Sequence, residues 1–134
     1  MYELHIHPNA EVDLDAIWEI DQTTASRIDA FLEEVSENHK YLDALLERHF
    51  GKDGSEEFSV DKWVEQWYQK RDLWRAKIWD LEDIGIRYRI IYCYQIADRR
   101  FTVLAVVARN KFNYEANSEI GKRIIDDYDS LINE

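Results

Sequence analysis

The residue types best suited to chemistry in this chain are six cations, Arg75, Lys77, Arg87, Arg89, Arg109 and Lys111, with Tyr92, Tyr94 and Tyr114 nearby in sequence. Guanidinium groups grip a phosphate through paired hydrogen bonds, and a fixed cluster of them stabilises the charge that builds on a phosphate in a transition state. Such a surface suits RNA or another polyanion. Lys and Arg also decorate ordinary exposed strand faces, where partners such as Asp80, Glu82 and Asp83 would leave them as surface ion pairs of little energetic weight.

The other reactive residues form weaker patterns. His5 and His7 lie two apart on one face of a strand, as some metal ligands do, but no third ligand of clear spacing follows. His39 falls on an apolar helical seam and reads as a packing residue; His49 flanks a loop and has no evident partner. Cys93, the single cysteine, sits inside a strand pattern and reads as a buried thiol. The many carboxylates have no spacing that selects a catalytic pair. There is no glycine-rich phosphate loop, no Cys-x-x-Cys and no serine in a nucleophile elbow, which disfavours nucleotide-cofactor chemistry. No cofactor and no metal is expected.

The cations must be positioned by strands. Residues 73–81, 86–96 and 101–109 are rich in branched and aromatic residues and are separated by short polar segments holding Gly85 and Asp98, the pattern of an antiparallel three-stranded meander. Alternation across the pleat places Arg75 with Lys77 on one face and Arg87 with Arg89 on one face. A basic sheet face follows if the registers bring those faces together.

Charge distribution sharpens this. The chain carries a net charge of −11, yet residues 1–69 hold −12, residues 70–111 hold +5 and residues 112–134 hold −4. The total argues against indiscriminate coating of nucleic acid, while the middle third is locally basic. A length of 134 residues with 46% hydrophobic content fits one domain, 1–134. The N-terminus has neither the basic start nor the apolar middle of a signal peptide, and no run approaches a membrane span, so a cytoplasmic protein without membrane contact is expected.

In chain order, Tyr2, Leu4 and Ile6 alternate with Glu3, His5 and His7 as a half-buried strand that Pro8 stops. A helix follows, with Val12, Ala16 and Ile20 as its apolar stripe, widened by Leu14, Ile17 and Trp18. A longer second helix carries Ile28, Leu32, Val35, His39, Leu42 and Leu46. The two should form a helical hairpin against one face of the sheet. Residues 51–57 read as a loop, and Val60, Trp63, Val64 and Trp67 as a short helix. A C-terminal helix from about Ser118 presents Ile120, Ile124, Tyr128 and Leu131. The expected class is α+β, with helices mainly on one face of the sheet.

This order, with the segments AEVDLDAIWEID, LWRAKIWDL, IRYRIIYCY and RFTVLAVVARNKFNY, resembles the RelE/ParE superfamily of bacterial toxins over most of the chain. The most telling phrase is Arg89-Ile90-Ile91-Tyr92, followed by an apolar strand closed by Arg109. In the RelE branch the resemblance implies a metal-independent endoribonuclease that enters the ribosome and cuts messenger RNA through attack of a ribose 2′-hydroxyl. By that resemblance Lys77, Arg89, Arg109 and Tyr114 are the catalytic positions and Lys111 is a further candidate; with it, Arg75 and Arg87 of the basic strand faces are the residues expected to bind RNA. Arg89 and Arg109 would hold the phosphate, Lys77 would help activate the nucleophile, and Tyr114 would stack on a base or assist proton transfer. Many members carry a histidine before the closing arginine, where this chain has Ala108. The resemblance leaves two other readings open: a ParE-like inhibitor of DNA gyrase, and an inactive protein-binding member. In each, a cognate antitoxin is the expected partner.

Overall fold

A computed structural model describes residues 2–133. The elements are β1 (Glu3–Ile6), α1 (Pro8–Ile20), α2 (Gln22–Glu37), α3 (His39–Ala44), β2 (Phe58–Lys62), α4 (Val64–Tyr68), β3 (Leu73–Ile78), α5 (Trp79–Glu82), β4 (Tyr88–Gln95), β5 (Arg100–Ala108) and α6 (Glu119–Ile132). The fold is α+β, with five strands in one mixed sheet ordered β1-β5-β4-β3-β2. β1 runs parallel to β5, and the other neighbours are antiparallel. Four strands therefore run antiparallel in succession where three were expected from the sequence. No helix among the described residues is long and apolar enough to cross a membrane.

The additional strand is β2. The spacing of Val60, Trp63, Val64 and Trp67 reads as helical, yet Phe58–Lys62 pairs along β3, and only a five-residue turn of helix, α4, follows. Phe58 explains the outcome. Its ring is fully buried and packs against Phe31, Tyr41 and Phe50, at centroid distances of 5.1, 5.1 and 5.0 Å. Aromatic burial in a pleat outweighs the local helical spacing.

The helices also depart from the expected stripes. On α1 the buried residues are Ala10, Leu14 and Ile17, whereas Val12, Ala16 and Ile20 face outward. Both triplets have helical spacing, and only the packing partner decides between them. The long second helix is interrupted. α2 ends at Glu37, and the side chain of Asn38 accepts the Tyr41 backbone N–H at 3.2 Å to cap α3. His39 consequently leaves the apolar seam and is exposed, with its ring 5.6 Å from that of Tyr2.

Helices cover both faces of the sheet rather than mainly one. The front face, with Trp74, Ala76, Ile90, Tyr92, Phe101 and Val103, packs against α1, α2 and α3. α6 crosses to the back face, where Ile124 and Tyr128 meet Leu73, Ile91, Cys93 and Ala105. Leu104 is an extra residue in β5, a bulge opposite Ile91 and Tyr92 that turns two successive side chains toward α6. Asp13 on α1 ties the layers together. It accepts the Val106 N–H at 2.9 Å, on the edge of β5 beyond the end of β1, and two hydrogen bonds at 2.8 Å from Arg123 of α6.

Candidate anion-binding face

Ile124 and Tyr128 of α6 cover one half of the back face, and the cations gather on the other half. Pairing sets them in rows. Ser59 on β2 lies opposite Lys77 on β3, and Asp61 lies opposite Arg75. One step past the Ala76 and Ile90 pair, the same register brings Arg89 beside Lys77. Arg109 follows directly after β5, its backbone N–H donating to the Arg87 carbonyl at 2.9 Å.

Two concavities share this face. A small cleft of about 170 Å³ is lined by His49, Lys52, Ser59, Asp61, Arg75, Lys77 and Arg89 over a floor of Val60 and Ala76. A broad one at the end of the sheet holds Lys77, Trp79, Glu82, Arg87, Arg89 and Arg109. Lys77 and Arg89 line both. Of the residues expected from sequence, Lys77, Arg89, Arg109, Arg75 and Tyr114 come together; Arg87 is exposed at the rim. Lys111 sits in the exposed turn after β5 and lines neither concavity. Tyr92 lies on the opposite face, its hydroxyl donating to the Leu45 carbonyl at 2.7 Å.

Each cation is held differently. The Arg89 guanidinium donates to Glu82 at 2.6 Å, and both side chains are mostly buried, at 13% and 10% exposure. Arg75 lies 3.6 Å from Asp61, which also accepts from Arg48 at 2.9 Å. Burial pushes the Asp61 carboxyl up, but the Arg48 hydrogen bond, the Lys62 backbone N–H and Arg75 outweigh it and hold the group below the usual carboxylate value. Lys77 makes no ion pair among the described residues, and its ammonium lies 4.6 Å from the centre of the Trp79 ring. Partial burial, Arg89 and Arg75 lower its pKa against the opposite pull of Glu82 and Asp61.

Tyr114 joins the arginines. Its backbone is left-handed, with φ of 58°, and its ring centre lies 4.6 Å from the Arg75 guanidinium and 5.4 Å from that of Arg109. Trp63 and Phe112 pack on the same ring at 5.7 and 5.0 Å. Its hydroxyl is enclosed and has no hydrogen-bond partner among the described residues. The residue thus orients two cations, and its O–H does not reach the cleft.

His49, Lys52, Ser59 and Asp61 escaped sequence reasoning. For Ser59 and Asp61 the signal was present in the strand character of 58–62, since a strand there sets Asp61 across from Arg75. For His49 and Lys52 there was none, because the loop is folded by contacts distant in sequence. Cys93 is buried, and desolvation pushes its thiol up to about 12. Among the described residues no group of three His, Cys, Asp or Glu could hold a metal ion. Compared with protein-family models, curated proteins and solved structures, the chain finds no match.

Proposed function

We propose that this chain is the toxin member of a toxin–antitoxin pair, a RelE-type, metal-independent ribonuclease that cuts messenger RNA on the ribosome and so acts in the cytoplasm. The observation that carries the reading is the placement of Lys77, a part-buried amine with a lowered pKa and no ion-pair partner among the described residues, between Arg75 and Arg89 on the half of the back face that α6 leaves open. The element order and the basic strands give it secondary support.

In this reading the scissile phosphate sits over Arg89 and Arg109, whose donors offset its charge and the further charge of the transition state. Lys77, in its unprotonated form, takes the proton of the ribose 2′-hydroxyl. A lysine does this best when neighbouring cations and burial bring its pKa toward the working pH. The 2′ oxygen then attacks phosphorus and the bond to the 5′ oxygen breaks, leaving a 2′,3′-cyclic phosphate. Arg75 and Tyr114 fix the flank of the site, and Arg87 and Lys111 contact the backbone further along.

A second reading has its own observation. The Arg89–Glu82 pair at 2.6 Å already occupies the guanidinium that the phosphate needs, which favours a non-cleaving member whose basic face docks an acidic segment of a protein such as an antitoxin. Induction without antitoxin, with primer extension on ribosome-associated messenger, separates the two. The nuclease reading expects new 5′ ends that disappear in an Arg89→Ala, Arg109→Ala double variant. Unchanged cutting by that variant removes the proposed site, and harmless expression without cuts favours the docking reading.

A further inference from the structure

If the ribose hydroxyl loses its proton to Lys77, the departing 5′ oxygen must gain one, and the choice of donors is narrow. The Tyr114 hydroxyl is enclosed. Of the four histidines, His5 is exposed beside Glu3 at 3.1 Å, His7 accepts the Asn9 backbone N–H at the start of α1, and His39 lies against Tyr2. His49 alone lines the cleft that holds Arg75, Lys77 and Arg89.

The loop holds His49 there at a cost. Its φ is 73°, a left-handed conformation that a residue with a β-carbon adopts unwillingly and that gathers at functional sites. Its backbone N–H donates to the Val60 carbonyl at 2.8 Å, and the Val60 N–H donates to the Phe50 carbonyl at 3.0 Å, so the loop is pinned to β2 from both sides. Gly51 completes the fit. With φ of 65° it lies so near the Phe58 carbonyl that a β-carbon there would stand 1.9 Å from the oxygen. The imidazole Nε2 is 4.0 Å from Asp61 Oδ1, a carboxylate oxygen that accepts hydrogen bonds from Arg48 and the Lys62 N–H. Lys52, Arg75, Lys77 and Arg89 are the other charged groups in the cleft.

We propose that His49 is the proton donor to the leaving 5′ oxygen. This rests on the nuclease reading and adds the missing acid to it. The imidazolium gives one proton to the departing oxygen as the phosphorus–oxygen bond breaks, while Lys77 gains the proton of the 2′-hydroxyl. Solvent then returns a proton from Lys77 to His49, and nothing is oxidised or reduced. Histidine is suited to the role because its charge changes in the neutral range. The base lies on β3 and the acid on the loop pinned to β2, and both line the cleft that Arg89 shares.

The test uses the full chain on programmed ribosomes, with a messenger carrying either oxygen or a bridging sulfur at the 5′ position of the mapped cut. A thiolate leaves without being protonated, so a proton donor matters only for the oxygen substrate. His49→Asn keeps a residue that tolerates positive φ. It should cut the oxygen messenger about 100-fold more slowly than wild type and the sulfur messenger at nearly the wild-type rate. An equal loss on both substrates, or no loss on either, overturns the assignment while leaving the nuclease reading in place. A wild-type chain that cuts neither messenger overturns that reading together with the inference.

Discussion

The two halves of the back face of the sheet are built from the same strands and end differently. Toward α6, Leu73, Ile91, Cys93 and Ala105 present apolar surface that Ile124 and Tyr128 cover. Two residues further along β3, and two back along β4, the same alternation presents Arg75, Lys77 and Arg89, and the helix stops short of them. The pleat assigns the face, and the residue type decides whether that stretch is core or site. The covered half binds its neighbours by area, the open half by charge, and substitutions should separate the two.

The largest effect belongs to the covered half. Ile124 is fully buried against the sheet, so Ile124→Ala should lower stability by about 2–5 kcal/mol in urea denaturation. RNA binding by the folded fraction should be unchanged. A loss of binding in protein shown to be folded would mean that the halves are not independent.

Glu82→Gln comes next and acts on both properties in opposite directions. It removes the charge facing Arg89 in a pair that is only 13% and 10% exposed, which should cost about 1–3 kcal/mol of stability. The freed guanidinium should tighten RNA binding and steepen its dependence on salt. Weaker binding in this variant would assign Glu82 a positive part in recognition instead of competition with the phosphate.

The smallest change in stability is expected at Lys77, and its sign is the informative part. Burial and the neighbouring arginines lower its pKa in the folded chain, so the unfolded chain binds more protons between the folded and unfolded values. The contribution of Lys77 to stability therefore rises as pH rises through that window and is unfavourable below it. Lys77→Met should raise the melting temperature slightly at neutral pH, with the gain shrinking toward alkaline pH. A lower melting temperature at neutral pH would place the amine in a favourable contact.

Much of this architecture was legible in the chain. β4 and β5 appear where dense runs of branched and aromatic residues leave no competing pattern, and α6 follows a single four-and-three spacing from Ile120 to Leu131. The rest depended on partners. α1 has two apolar stripes of similar spacing, and the sheet selects the one containing Leu14. Asn38 caps α3 although the apolar seam continues past it, because a local side-chain hydrogen bond can end a helix that periodicity would extend. The basic residues were visible at once as a composition shift, but the acids that hold them were not. Glu82 reaches Arg89 across a turn, and Asp61 reaches Arg75 only because β2 is a strand.

If the open half of the back face cuts RNA, Lys77 is its base. Single-turnover cleavage of messenger on programmed ribosomes, comparing wild type with Lys77→Met across pH, tests it most directly. A base at Lys77 should give cleavage by wild type that rises with pH as the amine loses its proton, and a loss of about 100-fold or more in the variant. Equal rates for the two proteins, or an unbroken messenger with both, would contradict it.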